Sequence, residues 1–163
     1  MTNILNIVWY SIYGDIMRTY YIFNVNKYFT YMYKKNPFKM YKIFEEIYNT
    51  KDYDSIKTYR IFEQVATPFN KILLNEYIYF DYKYKYGYKK IDNTHYLRTS
   101  ENSILTINNY NIKLRTESNY SDFFTYLNKY NINLFVCDFE NKDYYWLDKL
   151  VGHSLQKKEF IVK

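Results

Sequence analysis

The longest hydrophobic and polar alternation in the chain covers residues 76–90, EYIYFDYKYKYGYKK. Ile78, Phe80, Tyr82, Tyr84, Tyr86 and Tyr88 share one parity, and Asp81, Lys83, Lys85 and Lys89 the other. Period two over that length predicts a strand bent at Gly87, because successive strand side chains point to opposite faces. A different period marks residues 37–49. Asn36 suits an N-cap and Pro37 the first helical position. Met40, Ile43, Phe44 and Ile47 then recur at i, i+3, i+4 and i+7, one apolar helix face. Residues 55–66 read as a second helix that stops before Pro68. Residues 19–29 are β-branched and aromatic, which predicts a strand. Residues 94–99 and 104–116 read as two further strands, joined by a turn at Ser100-Glu101-Asn102-Ser103. A helix over 121–130, capped by Asn119 or Ser121, turns Phe123, Phe124, Leu127 and Tyr130 inward. The nearly continuous apolar run 132–139 predicts a central strand. A last helix, 142–151, carries Tyr144, Leu147, Leu150 and Val151 and stops at Gly152. Residues 4–13 are helix or strand, and the tail 157–163 adds a short strand.

This order predicts an α+β chain with a ferredoxin-like (split βαβ) core, an extended antiparallel hairpin and a C-terminal helical extension. A length of 163 residues suits a single domain. Its core covers approximately 19–139, with an insertion around 50–93 and an extension at 140–163.

Composition changes how the aromatic residues are weighed. Phe, Tyr, Met, Ile, Asn and Lys account for 94 of the 163 residues, and Tyr alone for 24. All six are spelled by A/T-rich codons, so the bias is mostly mutational and points to an AT-rich genome. A given Tyr can therefore be a drift product that merely fits its place. No Arg-rich leader or signal peptide opens the sequence, and the apolar run Ile4–Met17 is too short and too polar to span a bilayer. The expectation is an organelle-encoded, mitochondrial protein without a transit peptide, or else a cytoplasmic one, with no membrane span.

The chemical inventory is poor. The three glycines, Gly14, Gly87 and Gly152, form no phosphate-binding or dinucleotide pattern. One cysteine, Cys137, excludes an internal disulfide and a multi-cysteine zinc site. His95, Cys137 and His153 have no ligand spacing and read as a buried thiol and isolated imidazoles. Glu45 and Glu46 belong to a solvated helix face. Asp138 and Glu140 share a strand face, with no cleft to make them a catalytic pair. The expectation is no enzyme, no cofactor, no metal and no small-molecule substrate.

Charge is more informative. The net charge of +6 favours a polyanionic partner. Lys83, Lys85, Lys89 and Lys90 interleave with Tyr84 and Tyr86, and Arg98, Lys113 and Arg115 lie on neighbouring strands. Lysines bind phosphates as flexible point charges and tyrosines stack on unpaired bases, so these nine residues are the candidate RNA-binding face. The plainer alternative is an aromatic core face with a wet lysine side. Tyr144, Trp146 and Leu147, on the predicted last helix, are the candidate protein interface.

From residue 94 to 139 the chain resembles a known family. A hairpin bearing Leu97-Arg98-Thr99 leads to a helix starting at Asp122-Phe123-Phe124-Thr125, then to a terminal strand ending near Cys137. This order and these residues are similar to the tenth protein of the small ribosomal subunit, called S-ten in bacteria. The family's Pro-rich approach to the hairpin is reduced to Ala66-Thr67-Pro68. The resemblance implies a structural constituent of the small subunit of a mitochondrial ribosome, with ribosomal RNA and neighbouring ribosomal proteins as partners. The alternatives are an accessory subunit of another organellar complex, such as a respiratory one, and a viral protein that binds a host factor.

Overall fold

The structure, a computed structural model, describes residues 17–50, 55–131 and 133–150. Among them, besides a helical turn at residues 147–150, are seven strands in one antiparallel sheet and five helices. In chain order these are β1 (Arg18–Asn24), α1 (Lys27–Tyr33), α2 (Pro37–Tyr48), α3 (Ser55–Val65), α4 (Lys71–Tyr82), β2 (Tyr88–Ile91), β3 (Thr94–Arg98), β4 (Asn102–Ile107), β5 (Ile112–Thr116), α5 (Asp122–Tyr130), β6 (Leu134–Asp138) and β7 (Asp143–Trp146). The sheet order is β2-β3-β4-β5-β1-β6-β7. The fold is therefore α+β. Its inner four strands, β4-β5-β1-β6, are compatible with a split βαβ plan, to which β2, β3 and β7 are added at the edges.

Three helices start on asparagine. The side chains of Asn26, Asn36 and Asn70 each accept a backbone N–H, from Phe29, Lys39 and Leu73, at 2.9, 3.3 and 3.1 Å. Asparagine is favoured there because its short amide satisfies one of the orphan donors of the first turn. Ser121 caps α5 in the same way, its hydroxyl accepting from the Phe123 N–H.

The sheet has a hydrophobic layer on each side. On one side α4 and α5 cover Tyr20, Ile22, Leu105, Leu114 and Val136 with Leu74, Ile78, Tyr82, Phe123, Phe124 and Leu127. On the other side α2 and α3 cover Phe23, Phe135, Cys137 and Trp146 with Met40, Tyr41, Phe44 and Phe62. Aromatic stacking organises this second layer: Phe23 and Phe44 lie 4.0 Å apart at 8°. Such offset pairs contribute about 1 kcal/mol beyond their buried area.

Several expected elements are corrected. Residues 76–90 are not one strand: α4 occupies Lys71–Tyr82, a turn follows, and only Tyr88–Ile91 is extended. The apolar face of α4 is Leu74, Ile78 and Tyr82, spaced by four, while Phe80 is 60% exposed. The run 104–116 is two strands, broken where Asn108 donates to Asn111 through both backbone and side chain. The start of the expected helix 142–151 is strand β7, and only residues 147–150 are helical before the description ends. Expectations for 4–13, Gly152, His153 and 157–163 lie outside the described residues.

Gly87 fixes the joint between α4 and the sheet. Its φ is +76°, and a Cβ there would sit 1.9 Å from the carbonyl oxygen of Arg98. The Arg98 N–H donates to the Gly87 carbonyl at 2.9 Å, so the two backbones cannot separate without losing a bond. Gly87→Ala is expected to destabilise by roughly 2 kcal/mol or more, from left-handed strain plus the clash. Thermal unfolding checks this: an unchanged midpoint would contradict the tight joint.

Candidate nucleic-acid interface and buried polar groups

The two helical layers do not cover the sheet equally. The layer of α2 and α3 sits over β1, β6 and β7. Over β2, β3, β4 and β5, no described helix lies on that same side. Register shows what is left open. Lys89 faces Tyr96, Tyr96 faces Ile104, Ile104 faces Arg115, and Arg115 faces Thr19. The next row runs Ile91, Thr94, Thr106, Lys113 and Tyr21. Arg98 and Asn102 form a third pair on the same side. At about 4.8 Å per strand, Lys89 and Arg115 are roughly 14 Å apart. A shallow groove of about 150 Å³ opens at one end, lined by Gly87, Lys89, Ile91, Tyr96 and Arg98.

Four of these positions are cationic, Lys89, Arg98, Lys113 and Arg115, and one acid, Glu117, borders them, bonded to Asn102 at 3.0 Å. None of the four takes part in an ion pair among the described residues. Lys113 Nζ lies 5.8 Å from the Tyr21 ring centroid.

The nine expected RNA-binding residues thus divide into three groups. Lys89, Arg98, Lys113 and Arg115 come together on the open face. Lys83, Tyr84, Lys85 and Tyr86 belong to the turn beyond α4, with Tyr84 and Tyr86 89% and 93% exposed. There Lys83 lies 4.8 Å from the Tyr84 ring, and Lys85 3.9 Å from the Tyr82 ring. Lys90 points to the helix side, 5.6 Å from the Tyr79 ring, because it pairs with buried His95. The expected protein interface does not form: Trp146 and Leu147 are buried core residues, and Tyr144 stacks on Tyr41 at 4.7 Å. The reason is that Tyr144 and Trp146 lie on a paired strand rather than on a free helix.

Three of the buried groups are His95, Cys137 and Asp138. His95 is fully buried on the helix side of β3. Asn75 Nδ2 donates to the Lys71 carbonyl at 2.8 Å, which leaves its Oδ1 to accept from His95 Nε2 at 2.8 Å. His95 Nδ1 then accepts from the Tyr88 hydroxyl at 2.7 Å. The ring is therefore neutral with the proton on Nε2. Burial holds its pKa down at about 4, with a smaller push from the charge of Lys90. In the unfolded chain the same ring titrates near 6.5. Between those values the unfolded state binds the extra proton, so the stabilisation is complete above pH 6.5 and is lost as pH falls toward 4. On the order of 2–3 kcal/mol is expected to disappear over that window. Denaturant unfolding from pH 7 to 4 checks it. His95→Gln should show a flatter profile than wild type, and identical profiles would contradict it.

Cys137 lies on the opposite side of the sheet from His95, fully buried, and burial pushes its thiol well up. The two groups do not meet. Asp138, also fully buried, accepts from Arg18 Nε at 2.9 Å and from Asn141 through N at 3.0 Å and Nδ2 at 2.8 Å. Arg18 also reaches Asp143 at 3.1 Å. Glu140 is exposed in the following turn and shares nothing with Asp138. The Arg18–Asp138 pair was missed from sequence. The available signal was a lone Arg opening one strand and an Asp closing another. Among the described residues no cluster of His, Cys, Asp and Glu could hold a metal ion, and no helix is long and apolar enough to cross a membrane.

The fold and this face define a class: an α+β protein with a half-open basic sheet, its buried titratable groups engaged in structure. A comparison with protein families refines it. The family model for the sporulation inhibitor of replication protein SirA matches residues 18–150. The match covers most of the chain, and the chain belongs to the SirA family. No curated protein matches it. Membership overturns the ribosomal reading. The S-ten resemblance rested on element order, and the split βαβ order is shared by unrelated families. A small-subunit constituent bound to ribosomal RNA, and the mitochondrial location, fall with it, since the family is bacterial. The respiratory-complex and viral alternatives have no support either. The AT-rich composition belongs to a genome and does not indicate an organelle.

Proposed function

We propose that the chain restrains DNA replication during sporulation, and that it does so by binding a component of the replication machinery rather than by catalysis. The observation that carries this is the family match over residues 18–150, which includes all seven described strands and five described helices. Two features support binding as the mode. Among the described residues, three groups with catalytic potential are committed to the fold: His95 has both ring nitrogens hydrogen-bonded, Cys137 is buried, and Asp138 is engaged by Arg18 and Asn141. What the surface offers instead is aromatic, with Tyr31 on α1 and Tyr84 and Tyr86 beyond α4 each about 90% exposed. Aromatic side chains dominate the energetics of binding surfaces because they bring large area at low entropic cost.

The experiment is expression of the chain in a growing spore-forming bacterium, with DNA content per cell followed by flow cytometry. DNA content is expected to fall while cell mass continues to rise. Unchanged DNA content at full expression would overturn the proposal.

A further inference from the structure

We propose that the open face of β2–β5 is a binding platform for single-stranded DNA. The choice of DNA over RNA rests on the replication reading above; the platform itself rests on geometry. Four cations, Lys89, Arg98, Lys113 and Arg115, lie on one side of four adjacent strands, and the one acid at their edge, Glu117, is held by Asn102 rather than by a cation. A face that existed only to be wet would gain by mixing signs, since like charges on neighbouring strands repel. Here four cations meet a single acid that pairs with none of them, an excess that suits a polyanion.

The apolar residues between the cations point to a single strand. Tyr96 is half-exposed at the centre, with Lys89 directly opposite on one side and Ile104 on the other. Ile91 is 46% exposed beside it, on the wall of the groove. A flat aromatic flanked by cations is what unpaired bases need: the ring stacks a base and the cations take the phosphates on either side. In a duplex the bases are already stacked on one another and offer no free face to Tyr96. Tyr84 and Tyr86, just before Gly87 at the groove, extend the aromatic surface past the sheet edge. An acidic protein could use both the charges and the ring, and the test separates it from the DNA.

The test uses the full chain and fluorescence anisotropy with a labelled oligothymidylate of about 12 nucleotides. Competitors are a duplex of equal length, the corresponding RNA and an acidic peptide. Wild type should bind the single-stranded DNA most tightly and lose affinity steeply with salt. The variant K89Q/R98Q/K113Q/R115Q should bind at least tenfold more weakly. Its log–log salt slope should shrink by about 3, since each lost phosphate contact removes roughly 0.7. Tyr96→Leu should lower affinity about tenfold and leave the salt slope unchanged, because stacking releases no counterion. Circular dichroism verifies that both variants fold. If the quadruple variant does not, protection of Lys89 and Lys113 from acetylation by the oligonucleotide reads the same face in wild type. Wild-type affinity and slope in a folded quadruple variant, absence of that protection, or tighter binding of duplex, RNA or peptide would each overturn the platform. A chain that slows replication without binding single-stranded DNA fails this proposal alone. One that binds the DNA and leaves replication untouched fails only the reading behind it.

Discussion

Replacing Arg18 by Met is expected to destabilise the protein by about 3–5 kcal/mol, a large share of the total stability of a domain this size. The reason lies at Asp138. That carboxylate is fully buried at the end of β6 and accepts a hydrogen bond from Arg18 Nε at 2.9 Å, with a terminal guanidinium nitrogen 2.8 Å away as an ion-pair contact. Asn141 supplies the rest of its shell. Removing the guanidinium leaves that buried carboxylate without its charged partner. The pair also ties three strands together, since Arg18 opens β1, Asp138 closes β6, and Asp143, which Arg18 also meets, starts β7. The control is Arg18→Met with Asp138→Asn. Asparagine keeps an oxygen for the Asn141 backbone and carries no charge, so the double variant should recover most of the loss. Urea unfolding of the three proteins decides it. A double variant as unstable as Arg18→Met would show that the cost is packing and not an orphaned charge.

Phe44→Ala should cost a comparable 3–5 kcal/mol, by a different mechanism. Phe44 is buried in the layer beneath α2, stacked on Phe23 at 4.0 Å. It lies 6.0 Å from Phe135 and 6.4 Å from Phe62, centroid to centroid. Its neighbours are rigid rings on three other elements, β1, β6 and α3, which cannot collapse into the space. Truncation therefore leaves a cavity as well as losing the buried ring. Phe44→Leu, which fills part of the space, should recover about half. Equal losses for Ala and Leu would mean that the site depends on the aromatic stack and not on volume.

Much of the fold was legible because some segments carry two independent signals. Helix α2 has an Asn-Pro start and an apolar i, i+3, i+4, i+7 face, and it forms as expected over Pro37–Tyr48. Helix α5 has Ser121 and Phe123-Phe124-Leu127. Strand β6 is buried at every position, as a continuous apolar run implies. Helix α4 was misread because tyrosine is so abundant that it fills exposed positions as readily as buried ones. Alternation through Phe80, Tyr82, Tyr84 and Tyr86 then looked like a strand, although only Tyr82 of these is buried. The helical signal was Asn70 as a cap followed by Leu74, Ile78 and Tyr82. Strand β7 was misread because four residues are too few to show a period. Its hairpin turns at Lys142, a non-glycine with φ +54°.

The candidate face was legible only in part. Lys89, Arg98, Lys113 and Arg115 could be named from charge, because each falls on the polar parity of a strand. Tyr96 could not be singled out from the many other tyrosines. Its place depends on pairing with Lys89 and Ile104, and register is a long-range property. The family lay beyond composition and element order altogether.

On the proposed function, this chain restrains replication by occupying a target and not by turning one over. Titration of the purified protein into a cell-free DNA synthesis reaction from a spore-forming bacterium tests it most directly. The predicted result is inhibition that is set by the molar ratio of the chain to its target, is complete on mixing, and does not deepen with preincubation. Progressive loss of synthesis at a small fraction of stoichiometric protein, or none at any ratio, would contradict it.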